Sequence, residues 1–390
     1  MTLTQSFVTA LLQIVVLALF VFVAVPVIVF AERKVIGYVQ LRLGYTRIAG
    51  GLHGVTGGLN RLMWWMGKLP FFSILRGFPS FIADGIKLFT KEDIVPEKAD
   101  WWVFHFAPAI SVVAAFTVLG IVSFSPAPLW TWPAAVPIVG GLPFAGVISD
   151  VNVGLLMLVG VASVGVYGIV LGGWASNSKY PLLGGLRSAA QIVSYEVPLT
   201  FSLLVPVVLS GTLNFTQMSQ YLSGAPIQTS AGPAQMPALA ILPLFIGFFI
   251  YLTCGFAETN RVPFDLPEAE TELVAGFHTE YTGMKFGLFY LAEYANMIIV
   301  AAVAAAFFLG GHHFLPFGLQ RFIPPSVPVV GGASFGWFLL WMALILFSYL
   351  WVRATLPRYR YDQLMHVGWK WLIPLSLANL CLAALVRYFA

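Results

Sequence analysis

Long apolar runs alternate with short polar or Gly/Pro-rich stretches along the chain. The runs fall at roughly residues 8–30, 103–124, 148–172, 190–210, 238–256, 286–310, 333–353 and 370–387. About 20 apolar residues suffice for a helix to cross the hydrocarbon layer of a bilayer. The pattern therefore predicts an all-α fold, a polytopic membrane helix bundle with about eight transmembrane helices. Residues 1–390 read as a single membrane domain, with no internal repeat and no low-complexity segment.

Composition agrees. Of 390 residues, 59% are hydrophobic and 9% charged, against about 25% charged in an ordinary soluble chain. So few charges cannot cover a water-facing surface, and a chain solvated by lipid does not need them. The charges are also one-sided. Eight spans put every one of the 20 basic residues except Arg321 and Arg387 on the same side. Segment 31–100 carries half of them. The positive-inside rule places that side in the cytoplasm and both termini outside. Met1–Gln5 has no Lys or Arg, and the first apolar run is too long for a signal peptide's core, so no secretory signal is expected. The outer segments 125–147 and 211–236 have no charge and read as irregular connectors or short surface helices.

Ionisable groups within a membrane domain are costly and default to functional candidates. Glu196 and Glu293 lie well inside apolar runs. Each needs a polar neighbour, trapped water or a bound proton. Two roles fit: a neutral carboxyl that fixes helix packing, or a proton-transfer group, which is the reading preferred. Asp150 reads equally well as an interfacial residue. The inner loop 257–285 is the densest constellation, with Glu258, Asp265, Glu268, Glu270, Glu272 and Glu280 around one Arg261. Mutual repulsion raises proton affinity in such a set, which titrates as a group and can hold and pass protons. The structural counterpart is a capping box, with Asp265 as N-cap, Pro267 near the helix start and Glu268 at the third helical position. In a helix over 265–272, Glu268 and Glu272 share a face and Glu270 points elsewhere.

Segment 31–100 is rich in glycine between Gly37 and Gly58, then in aromatics, with Trp64, Trp65, Phe71, Phe72, Phe78 and Phe81. Beside a membrane, aromatics interleaved with basic residues predict an interfacial amphipathic helix and lipid headgroup contacts rather than nucleic-acid binding. Several chemistries are excluded. Cys254 and Cys381 are too few for an iron–sulfur cluster and read as apolar packing residues. There is no nucleotide P-loop and no Gly-x-Ser-x-Gly elbow. His312 and His313 are adjacent in an outer loop and suggest no metal site.

Six stretches together carry a resemblance. They are Ala31–Arg42 (AERKVIGYVQLR), Ala83–Glu92 (ADGIKLFTKE), Gly173–Tyr180 (GWASNSKY), Ser194–Pro198 (SYEVP), Glu258–Glu268 (ETNRVPFDLPE) and Arg358–His366 (RYRYDQLMH). In that order they resemble the quinone-site membrane subunits, or H subunits, of proton-pumping NADH:quinone oxidoreductase (respiratory complex I). The resemblance implies an eight-helix bundle whose first inner loop forms an amphipathic helix. It implies no cofactor bound by this chain alone and quinone as the substrate. FMN and iron–sulfur clusters are then expected in partner subunits. The chain would wall a quinone channel shared with peripheral iron–sulfur and quinone-site subunits, and neighbour antiporter-like membrane subunits in a bacterial cytoplasmic (inner) membrane. By resemblance, Glu196, Glu258, Asp265, Glu268, Glu270, Glu272, Glu280 and Glu293 form the acidic proton path. Arg33, Arg42, Asp84, Phe264, Arg353 and Arg358 line the quinone channel.

The chain departs from the family after Arg42. Gly44-Tyr45-Thr46-Arg47 stands where the family has a Gly-Pro-Asn motif, and an aromatic, basic insertion lies within 43–82. Three other readings compete: a related membrane subunit of an ion-translocating hydrogenase or formate-linked complex, a free-standing ion transporter, and a passive anchor for a peripheral arm. The Phe264–Glu268 wording favours the quinone branch. The basic loop and one-sided acids suit docking better than solitary transport, and a passive anchor has no need of acids buried in its spans.

Overall fold

The structure, a computed structural model, describes residues 3–42, 80–124, 148–222, 236–267, 273–319 and 335–389, with scattered positions between these segments. Among the described residues are eight helices long and apolar enough to cross a membrane. They are α1 (Leu3–Val39), α3 (Trp101–Ile121), α4 (Gly154–Ala175), α5 (Lys179–Ser210), α7 (Ile241–Glu258), α8 (Gly283–Phe307), α9 (Phe335–Thr355) and α10 (Tyr361–Phe389). Two shorter helices join them: α2 (Ser80–Thr90) before α3, and α6 (Phe215–Leu222) after α5. Antiparallel ladders of two and three residues pair Trp130–Thr131 with Pro143–Phe144 and Ile227–Thr229 with Gly232–Ala234. The fold is all-α and the chain is an integral membrane protein.

Eight spans are found where eight are predicted, but several helix ends lie beyond the apolar runs. The first helix continues through Glu32, Arg33 and Lys34 to Val39, and α5 begins at Lys179 and carries Arg187. Hydropathy stops at the first charge. A helix does not, because its backbone bonds are internal and charges on its terminal turns reach water or a partner. Local signals set other ends. Asp100 accepts from the Val103 amide at 3.3 Å and caps α3. Gly211 takes a left-handed φ of 77° and returns its amide to Val207 O, which closes α5.

Helix α8 is the central post. From Ala292 to Phe307 nearly every residue is buried, including the alanine-rich stretch Ala301–Ala306. Lipid tails are as apolar as leucine, so spans associate through close packing, and small residues permit it. The α3–α4 seam shows the rule most plainly. A Cβ on Gly168 would lie 2.1 Å from Ser111 Oγ and 2.8 Å from Ala107 O. Gly168→Val should force the two helices apart and destabilise the bundle by about 2–4 kcal/mol. Thermal unfolding in detergent checks this, and an unchanged midpoint would contradict it.

Helix α10 contains a π-helical stretch, Val367–Leu372. There Gly368 lies against the Tyr195 ring, and the Tyr195 hydroxyl donates to Leu364 O at 2.8 Å. A side-chain hydroxyl thus serves a carbonyl at the point where the ladder changes register.

On the face opposite the charged residues, His312 locks three segments together. Its Nε2–H donates to Phe124 O at 2.8 Å, its Nδ1 accepts from Ser219 Oγ at 3.0 Å, and its ring stacks on Phe338. Burial pushes its pKa down to about 4. The unfolded imidazole binds a proton below about pH 6.5 and the folded one only below about 4. Stability from this lock is therefore full above the unfolded pKa and falls as pH drops through that window. Hydrogen exchange in α6, corrected for intrinsic rate, should accelerate between pH about 6.5 and about 4 in the wild type. It should not do so in His312→Phe, and equal pH slopes in the two proteins would refute the lock.

Candidate functional site

The loop after α7 is pinned to α5 by one amide. Gln191 Nε2 donates to Ala257 O at 2.8 Å and to Phe264 O at 2.7 Å, and lies 3.2 Å from Asn260 Oδ1. Asn260 has a left-handed φ of 50° and donates to Ser188 Oγ at 3.2 Å. Asparagine tolerates that backbone better than most residues. The pinned loop holds Phe264 between the Tyr195 ring and the stacked Tyr359 ring. Arg358 Nη2 meets Asp265 Oδ2 at 2.9 Å, and the Tyr359 amide donates to Pro263 O. The α9–α10 linker and the loop after α7 are thus one unit.

A line of charged groups runs inward from this end of the bundle. Arg33 and Glu32 are adjacent on α1, so they point in different directions around the helix. Arg33 reaches Asp84 on α2 at 3.0 Å, with both side chains about 40% exposed. Glu32 turns into the core. Its Oε1 takes Arg353 Nη1 at 2.5 Å and its Oε2 accepts from the Tyr294 hydroxyl at 2.8 Å. The face of the Tyr294 ring carries the Arg261 guanidinium, 4.4 Å from its centroid. Arg261 Nη2 then pairs with Glu293 Oε2 at 3.3 Å, with the two side chains only 6% and 10% exposed. Such a pair is weak evidence for stability, because desolvation offsets much of the attraction. Its informative feature is that it keeps ionisable groups deep in the bundle.

Two cavities continue the line. The first is bordered by Glu293, Glu258, Asn260, Thr259, Asn296 and Ser111. The second is bordered by Glu258, Asn296, Tyr251 and Glu196. Each leaves about 30 Å³ open to water, enough for roughly two molecules where polar partners are present. Glu258 borders both. Glu196, at the far end, accepts a hydrogen bond from Ser163. The arrangement can hold a proton on any of three carboxyl groups, with room between them for water that would pass it on.

The structure brings together Glu196, Glu258 and Glu293 along the cavities, Arg353 beside Glu32, Asp84 against Arg33, and Asp265, Phe264 and Arg358 in the pinned loop. Arg42 is exposed just beyond α1. Glu280 is half-buried before α8, and no ion pair involves it among the described residues. Glu268, Glu270 and Glu272 lie outside the described residues, as does most of the 43–82 insertion. The expected helix over 265–272 falls largely there too; Asp265 itself lies in irregular backbone and gives Oδ2 to Arg358. Asp150 accepts from Asn214 at 2.7 Å and from Thr216.

Sequence reasoning missed Glu32, Arg261, Tyr294, Gln191 and Asn296 as site residues. The only signal for Glu32 was its place beside Arg33 at the end of an apolar run. Nothing local marked Gln191 or Asn296. A second polar group was missed beside the line. Lys285 Nζ bridges Asp93 Oδ2 at 2.7 Å and His105 Nε2 at 2.8 Å, tying the start of α8 to the segment after α2. Tyr281, stacked on Phe104 nearby, has its phenol pKa raised by burial. Among the described residues no group of three His, Cys, Asp or Glu is set to hold a metal ion.

Fold and site define an eight-span membrane protein that carries ion pairs and carboxyl-lined cavities through its core. Residues 12–384 match the family described as NADH dehydrogenase. The second NADH-quinone oxidoreductase H subunit of Koribacter versatilis is 43% identical, over 96% of this chain and 96% of that protein. Its counterpart of the same name in Geobacter metallireducens is 40% identical over 97% and 96%. The NADH-quinone oxidoreductase H subunit of Paramagnetospirillum magneticum is 42% identical over 96% and 91%. The chain belongs to this NADH dehydrogenase family.

Proposed function

We propose that the chain is the H-type membrane subunit of an NADH-quinone oxidoreductase, walling the quinone channel and passing the effect of quinone reduction into the membrane as proton movement. The observation that carries the coupling is the pair of cavities joined at Glu258, with Glu293 at one end and Glu196 at the other. Arg33, Asp84, Arg353, Arg358 and Phe264 cluster at the charged end and support a channel mouth there. Arg42 would line its rim. A quinone that gains electrons before protons places negative charge near these groups. That field raises the proton affinity of nearby carboxyls, and the ordered line from Glu32 to Glu196 carries the rearrangement inward. Asp265, Glu268, Glu270, Glu272 and Glu280 would supply protons at the loop end.

Electrons would arrive from FMN and iron–sulfur clusters in partner subunits, since this chain's two cysteines cannot ligate a cluster. Peripheral iron–sulfur subunits would dock on the charged face, and antiporter-like subunits beside the spans would receive the coupling. The basic face would be cytoplasmic, both termini outside, in a bacterial inner membrane. The relatives' names weigh against the hydrogenase-type subunit and the free-standing transporter.

Glu258→Gln and Glu196→Gln each keep the side-chain shape and remove the titratable proton. At normal assembly, quantified in the same membranes, quinone reduction should fall by about tenfold or more. Wild-type turnover in both variants would return these carboxyls to a packing role.

A further inference from the structure

The two cavities meet at three residues, Ala162, Glu258 and Asn296. Glu258 is a proton carrier in the function proposed above. Asn296 sits on α8 three residues after Glu293, on the same helix face. It lines both cavities, and no hydrogen bond from its side chain reaches another described residue. An amide left dry in a bundle core costs about 1–3 kcal/mol. Here the carboxyl groups of Glu293, Glu258 and Glu196 border the same two cavities within an otherwise largely apolar lining, and each cavity has room for water that these groups and the amide together could hold. An amide also offers two donors and an acceptor while binding no proton itself. It can therefore orient water whichever carboxyl is protonated at that moment.

We infer that Asn296 is the positioning residue of the proton path, holding the water that joins the Glu293–Glu258 cavity to the Glu258–Glu196 cavity, with Ala162 keeping the junction open. The transfer balances without a co-reactant. A proton leaves the Glu258 carboxyl and bonds to a cavity water. That water releases another proton to Glu196, and no electron moves. This rests on the acid-path reading above.

The test uses the assembled complex in liposomes with a short-chain benzoquinone. Asn296→Leu should lower turnover by about tenfold, leave KM for the quinone unchanged, and enlarge the H2O/D2O isotope effect as the junction becomes limiting. Asn296→Ser, which restores a donor, an acceptor and room for water, should recover most of the rate. Ala162→Val, which narrows the junction without touching the amide, should reproduce the larger isotope effect, and it decides the matter if Asn296→Leu fails to assemble. Wild-type turnover and isotope effect in assembled Asn296→Leu or Ala162→Val would overturn the inference. Glu258→Gln, measured in parallel, separates the two claims. If it is normal, the acid path itself fails; if it is impaired beside a normal Asn296→Leu, only the role of Asn296 fails.

Discussion

Replacing Arg261 by leucine should all but remove the assembled subunit from the membrane. Arg261 is the charge partner of Glu293, and the two side chains are nine-tenths or more buried. Its guanidinium also covers the Tyr294 ring. Without it Glu293 keeps its desolvation cost and loses the guanidinium that pairs with its Oε2. Breaking one side of a buried pair costs about 3–5 kcal/mol, a large part of the total stability of an ordinary domain. The double variant Arg261→Leu/Glu293→Leu removes both charges and should regain most of the assembly, with turnover still lost. Yield of assembled subunit and detergent melting temperature provide the cycle. A double variant no better than Arg261→Leu alone would show that arginine's packing, not its charge, is what the site needs.

Glu32→Leu should have the next largest effect, because one carboxylate joins three helices. It takes Arg353 from α9 on one oxygen and Tyr294 from α8 on the other, while itself belonging to α1. Leucine strands a buried phenol and a guanidinium whose side chain is 30% exposed. The expected cost is about 2–3 kcal/mol, less than for Arg261 because Arg353 can still reach water. Glu32→Gln should be milder, since its amide oxygen can still accept from Tyr294. Melting of the purified subunit should rank wild type above Glu32→Gln above Glu32→Leu. Equal melting of all three would mean that Glu32 does not hold the helices together.

The architecture was legible because a bilayer imposes a length rule. Eight apolar runs could be counted directly, and the basic residues fell on one side only if the count was right. The helix ends were less legible: α1 runs past Glu32 and α5 starts before Arg187, where hydropathy had already fallen. Glu196, Glu258 and Glu293 stood out as acids in or beside apolar sequence. The long-range pairings that build the site around them did not. Glu32 and Tyr294 are separated by 262 positions, and Gln191 and Phe264 by 73. No local pattern encodes such a pairing. Asn296 was invisible for a different reason. An asparagine in an alanine-rich helix carries no charge to flag it, and its place at a junction exists only once α4, α7 and α8 have packed. Gly168 likewise looked like one small residue among many until Ser111 came to lie against it.

The most direct test of the coupling is the number of protons translocated per quinone reduced by the assembled complex in sealed liposomes, wild type against Glu258→Gln. Glu258 stands where the two cavities meet. The variant's residual turnover should therefore leave the lumen pH unchanged, while the wild type builds a gradient. A wild-type ratio and rate in Glu258→Gln at normal assembly would contradict the claim that this line of carboxyls couples the quinone to the membrane.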